Sequence, residues 1–418
     1  MKNLSAIILL FIANTISGVA QGISMISIPW YFAEQGDMSR FGLIYILTNV
    51  GMLFWAPYSG LLVDRYNRKH LFLGITLVCG TLLSMIAYRG FVGEGLAWFW
   101  VALVFMMTFF NYNIHYPTLY AFVQEISEPR YYGKITSYIE IQGQVSSMMA
   151  GAGAAFLLEG SGGESWTFLG WTLPFGWRIA AWEIHEIFAM DAATYFVALG
   201  IIALISFEAL VHREVENTSI RTQLSMGYRY LRQHTNIFIF GVASYSNFVA
   251  TLILSFFVLA IYVNQQLEAG GDVYAISEVF YAFGAVFAGL AIRRIFQPFT
   301  IPQAIIFLTL LGGGLCALMT FNSSVFLLYV VLLLFGIANA GTRILRITYL
   351  FQQIPNQVYG RANSIFFLTN ITFRILFLSL FSLAFFQQDQ HIVYATALLS
   401  LFLLASAAVL LRYYPRFA

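Results

Sequence analysis

Long apolar runs, broken by short polar turns, recur along the whole chain. They lie near residues 4–33, 40–63, 70–89, 96–126, 131–158, 187–207, 236–263, 273–292, 301–320, 323–350, 359–386 and 391–411. Each is close to or beyond the roughly 20 residues that a helix needs to cross a hydrocarbon core. The pattern predicts an all-α membrane protein with twelve transmembrane helices and both termini on one side. The first run follows Lys2 and contains Gly18-Val19-Ala20, a segment that could pass for a signal-peptide cleavage site. Its apolar character continues to Tyr31 and further spans follow, so a retained helix is expected.

Composition supports the same class. Hydrophobic residues make up 60% of the chain and charged residues 10%, against roughly 25% charged in a soluble domain. The net charge of +2 gives no reason to expect a nucleic-acid partner. Cys79 and Cys316 both fall in apolar runs, which suggests neither a disulfide framework nor a metal cluster. No clustered nucleophile, base or ligand set marks an enzyme, no cofactor is implied, and no Gly-x4-Gly-Lys loop marks ATP as the energy source. With a cytoplasmic N-terminus, the inner segments hold Arg65, Arg68, Lys69, Arg130, Lys134, Arg213, Arg221 and most other cations, while the outer segments hold Arg40, Arg89 and Arg178. That asymmetry fits the positive-inside rule, and the Trp residues apart from Trp55 map to the outer edge. The expected location is therefore the inner (cytoplasmic) membrane, multi-pass, in contact with lipid and with both termini cytoplasmic.

Two internal echoes organise the spans. Gly60-Leu61-Leu62-Val63-Asp64-Arg65 is matched by Gly289-Leu290-Ala291-Ile292-Arg293-Arg294, and Tyr132-Gly133-Lys134 with Ser137 by Tyr359-Gly360-Arg361 with Ser364. Their similar spacing suggests two six-helix bundles, residues 1–207 and 236–418, joined by a cytoplasmic linker over 208–235.

The polar loop Asp64-Arg65-Tyr66-Asn67-Arg68-Lys69 after Gly60 resembles the signature between the second and third helices of the major facilitator superfamily. Asn67 stands where that family usually has glycine, and Asn tolerates left-handed geometry well enough to keep a tight turn. The resemblance implies two pseudo-symmetric bundles, a monomer, and a gate built from Gly60, Asp64, Arg65 and Arg68 on one loop. Gly360 and Arg361, where the eleventh span is expected to begin, would offer a helix N-terminus to the acid.

Ionisable residues deep in a span are functional candidates. Arg374 lies about 22 Å along the eleventh span at ~1.5 Å per residue, placed to bind an anionic group of the substrate or to pair with a carboxylate. Glu140 and His115 lie at similar depth on adjacent spans and could together load and release a proton. In this fold the first, fourth, seventh and tenth helices usually line the cavity, which adds Asn14, Gln21, Asn111, Asn113, Tyr245 and Asn247, with Asn49 on the second; helix-to-helix hydrogen bonding is the alternative for each. Asp191 is expected to cap the sixth helix, and Arg343 and Arg346 to snorkel to the interface. The segment 159–187 reads as an interfacial amphipathic stretch.

The run from Gln352 to Ser364 and the start Met190-Asp191-Ala192-Ala193 are similar to siderophore exporters and macrolide-efflux-like carriers. The fourth span lacks the arginine, and the fifth the proline, of proton-antiporting drug pumps. The expected function is a secondary active transporter working by alternating access, an exporter of a small amphipathic or anionic solute such as a siderophore, with protons as a possible coupling ion. A lysophospholipid or multidrug carrier, an importer of a metal chelate and a transporter-like receptor are the alternatives.

Overall fold

A computed structural model describes residues 3–93, 95–128, 131–160, 166–168, 171–173, 180–206, 220–388 and 390–416. Five long helices open the chain: α1 (Leu4–Glu34), α2 (Met38–Arg65), α3 (Arg68–Val92), α4 (Trp98–Ile126) and α5 (Tyr132–Glu159). Two short antiparallel strands follow, β1 (Trp166–Phe168) and β2 (Trp171–Leu173), with Thr167 opposite Thr172. Then come α6 (Ile184–Leu204) and an amphipathic helix, α7 (Ile220–Gln233), in the segment expected to be a linker.

The next span is not a single α-helix. It runs as α8 (Thr235–Ser244), α9 (Ser246–Ile253), a π turn over Leu254–Val258, α10 (Leu259–Ile261) and a second π turn over Tyr262–Gln266. The chain ends in α11 (Gly271–Ile295), α12 (Ile301–Thr320), α13 (Val325–Gln353), α14 (Asn356–Phe381) and α15 (Ile392–Tyr413). Ten helical segments among the described residues are long and apolar enough to cross a membrane. Two more of comparable length, α4 and α5, have 29 and 28 residues. They are less apolar because they carry Asn111, Asn113 and His115, and Glu140, Gln142 and Gln144.

The chain folds into two compact units. The first comprises residues 1–35, 58–215 and 269–279; the second comprises 36–57, 216–268 and 280–418. In the first, α1 packs on α4, α5 and α6, and α3 packs on α6. Its interior joins Ala6, Leu10, Phe72, Leu119, Phe122, Ile135 and Ile202. The Glu159 carboxylate accepts from the Gly271 N–H at 2.7 Å, which satisfies a free donor at the start of α11.

In the second unit, α12 packs on α13 and α15, and α7 packs on α14. Phe240, Ile305, Leu350, Ala362 and Phe366 share its core. Helices α11 and α13 cross backbone to backbone: a Cβ on Gly284 would collide with the Leu333 carbonyl, and one on Gly336 with the Tyr281 carbonyl. Gly227 brings α7 against the Arg361 carbonyl in the same way. Large apolar side chains such as Phe54, Leu204, Leu290 and Phe326 remain largely exposed. In water such a surface would aggregate; in a bilayer it meets acyl chains.

Candidate functional site

The polar loop after α2 is built differently from its sequence expectation. Asn67 has φ −60° and ψ 123°, not left-handed geometry, and it caps α3 by accepting from the His70 N–H. Arg68 pairs with Glu125 of α4 at 2.9 Å, both side chains being 13% exposed. Lys69 donates to the carbonyls of Ala203 and Ile205 at 2.9 and 2.8 Å, closing the C-terminus of α6 where cations are favoured. Gly60 lies in α2 with open space where a Cβ would stand. Asp64 and Arg65 occupy the last turn of α2, and their side chains lie outside the described residues. The helix containing Gly360 and Arg361 begins at Asn356 behind Pro355. Gly360 is thus one turn inside it and does not present a free N-terminus.

The first unit holds a polar interior. His115 Nε2 contacts Asn14 Oδ1 at 2.8 Å; an amide oxygen only accepts, so the ring N–H donates. Gln21 and Asn111 both donate to the Tyr195 hydroxyl, at 2.9 and 3.1 Å. These residues line a cavity of about 20 Å³ together with Ser17. A second cavity of about 60 Å³ shares Asn14, Ser17, Gln21 and His115 and reaches Ser146 and Ser147. A water needs roughly 10–15 Å³ of such space, so both are sized for water and not for an organic solute. Glu140 lies on α5 with its side chain outside the described residues, so the contact made by His115 here is with Asn14. Asn113 is turned back onto the Phe109 carbonyl of its own helix.

Asp191 departs from its expected role. It does not cap α6, which begins at Ile184 with Glu186 accepting from the Glu183 N–H. It lies two turns further in, 1% exposed. Its Oδ2 accepts from Ser24 Oγ at 2.8 Å, and its Oδ1 has no hydrogen-bond partner.

The second unit holds the buried cations. Arg374 on α14 is 3% exposed and donates to the Tyr45 hydroxyl, which donates to the Leu252 carbonyl at 3.2 Å. That carbonyl sits where α9 passes into the first π turn, a place where helical bonding is irregular. No carboxylate pairs with Arg374 among the described residues, and its Nε is unpaired. Arg346 does not snorkel. It is 3% exposed, donates to the Ser244 carbonyl at 3.0 Å, and lies 3.5 Å from the centroid of the Tyr245 ring. Tyr245 donates to Asn363 Oδ1 at 3.0 Å. The guanidinium therefore satisfies backbone left free at the α8–α9 break.

Asn247 joins three helices, donating to Thr342 and Thr309 at 3.0 and 3.3 Å. Asn49 donates to the Tyr45 carbonyl of its own helix at 2.8 Å. In both, the amide nitrogen is spent within the second unit while Oδ1 has no hydrogen-bond partner among the described residues. Among the described residues no three or more His, Cys, Asp or Glu side chains converge on a metal-sized site.

Comparison with known proteins fits this framework. Over 287 residues the chain is 23% identical to macrolide efflux protein A of Streptococcus pyogenes, covering 66% of this chain. The match spans 63% of that relative, just under two thirds of its length. A mutant of the nucleoside transporter NupG superposes with a TM-score of 0.72 at 14% identity, over 97% of this chain and 99% of that one. A bacterial homologue of the iron transporter ferroportin gives 0.67 at 14% identity over 99% of both chains. The D-xylose-proton symporter gives 0.64 at 14% identity, over 95% of this chain and 97% of that one. The structural likenesses show the fold. Residues 10–377 match the family described as the Major Facilitator Superfamily, and the chain belongs to it.

Proposed function

We propose that this transporter is a secondary active exporter of a small amphipathic or anionic organic solute, siderophore-like in chemistry. It would move that solute across the cytoplasmic membrane by alternating access between two homologous halves, residues 1–207 and 236–418. The observation that carries the reading is Arg374, a buried guanidinium with a tyrosine hydroxyl for company and no acid among the described residues. An uncompensated buried charge is costly, and a site that keeps one gains by receiving an anion or strong acceptor. The likeness to a macrolide efflux protein supports outward movement of an amphipathic organic molecule. The loop from Gly60 to Lys69, with Asp64 and Arg65, is the element assigned to gating.

The test is equilibrium binding of an iron-free catecholate siderophore and of erythromycin to the purified protein. Losing one charge-assisted bond of about 1.5–3 kcal/mol corresponds to roughly a tenfold to hundredfold loss of affinity. Arg374→Ala should show that loss for the anionic compound, and Arg374→Lys should restore part of it. Unchanged affinity in Arg374→Ala would remove the anchor. Accumulation of the same compounds by everted vesicles reports the direction.

A further inference from the structure

We propose that Asp191 is a proton-exchange site of the first unit, reached through the water-sized cavity that Tyr195 lines. The proposal deepens the carrier reading by naming where a coupling proton would be held, on a residue of α6 and not on Glu140. Asp191 is 1% exposed, and only one of its two oxygens is hydrogen-bonded, to Ser24. Among the described residues the groups facing it are uncharged at neutral pH: Ser24 from α1, Cys79 from α3, Tyr112 from α4 and Tyr195 from α6. Among the described residues this carboxylate lacks the cation that would make it a structural ion pair.

Tyr195 follows Asp191 by four residues and so shares its face of α6. Its hydroxyl accepts from Gln21 and Asn111, which leaves its own proton unspent and aims its oxygen into the cavity of about 20 Å³. That space admits about one water. The second cavity, of about 60 Å³, continues the polar lining through Asn14, Ser17 and His115 towards Ser146. In the exchange the Asp191 O–H bond breaks and the proton passes directly to a water entering from the cavity beside Tyr195, whose hydroxyl oxygen is held in place by Gln21 and Asn111. The carboxylate left behind keeps the Ser24 hydrogen bond. Reloading reverses each step, and no other reactant is needed.

The decisive experiment is infrared difference spectroscopy of the full chain in lipid membranes, titrated from mildly acid to mildly alkaline pH. The wild-type protein should show the C=O stretching band of a buried protonated carboxyl that disappears on alkalinisation. Asp191→Asn should lose that band, Ser24→Ala should shift it, and Asp191→Glu should keep a displaced one. A wild-type protein without a titrating band, or an Asn variant that retains it, overturns the proposal. If the Asn variant does not fold, an unshifted band in Ser24→Ala overturns it equally. No solute enters this measurement, so its failure counts against the Asp191 site alone, whereas absence of transport counts against the carrier reading.

Discussion

The Arg68–Glu125 pair gives a sharp quantitative test, because it is a fixed contact between α3 and α4. The N–O distance is 2.9 Å and both side chains are 13% exposed. Unit charges roughly 4 Å apart attract by about 4 kcal/mol at an effective dielectric of about 20. Desolvation takes back part of that gain. Removing one partner of a fully buried pair costs about 3–5 kcal/mol, whereas exposed pairs contribute ~0–1. At this exposure we expect a coupling of about 2–3 kcal/mol, intermediate between those limits.

The assay is a double-mutant cycle of Arg68→Ala, Glu125→Ala and the double variant, unfolded in SDS mixed micelles and read by helicity. Arg40 and Asp37 provide the control, since that pair is 2.6 Å apart but 57% and 26% exposed; its coupling should stay near ~0.2–1 kcal/mol. If the Arg68–Glu125 coupling is no larger than the control, the pair is solvated and the argument from burial fails. A pair that holds would mean that Arg68 is anchored within its own unit.

Other consequences concern the helix contacts. Gly336→Val should drive α11 from α13 by collision with the Tyr281 carbonyl, costing at least about 1–3 kcal/mol and lowering the yield of monodisperse protein on gel filtration. Gly60→Ala, with open space around it, should leave that yield unchanged. Asn247→Leu removes the ties to Thr309 and Thr342 and should destabilise the second unit by ~0.6–1.7 kcal/mol in micellar unfolding.

Much of the fold is written in the apolar pattern, because in lipid each span must be both long and self-bonded. The expected span 301–320 matches α12, Ile301–Thr320. The departures have physical reasons. The linker segment reads as polar by composition, yet Leu224, Gly227 and Leu231 recur at helical spacing in α7, which packs on α14. The strands β1 and β2 lie within the stretch 159–187 and carry secondary structure that the interfacial reading does not name; Trp166-Thr167-Phe168 and Trp171-Thr172-Leu173, two residues apart, have the alternation of a hairpin. Asp191 is buried rather than capping because α6 starts three residues before the expected 187, a boundary that Glu183 and Glu186 mark.

Arg346 shows where sequence runs out. Nothing near Ser244 announces a break in the helix, so the pattern of residues carries no sign of a carbonyl there that needs a donor, and snorkelling is the natural expectation. Asn67 does hold the turn, but through its side chain and not through tolerance of positive φ. Arg374 is legible as a buried cation, whereas its partner Tyr45, far away in sequence, is not.

Solute counterflow in proteoliposomes asks whether the protein works as a carrier. Vesicles loaded with unlabelled erythromycin or catecholate siderophore and diluted into the labelled compound should take up label transiently above its equilibrium level, because a carrier that returns loaded exchanges faster than one that returns empty. Arg374→Ala should abolish the overshoot for the anionic compound. Absence of an overshoot for every compound tried, siderophore, macrolide and lysophospholipid alike, would contradict the exporter account.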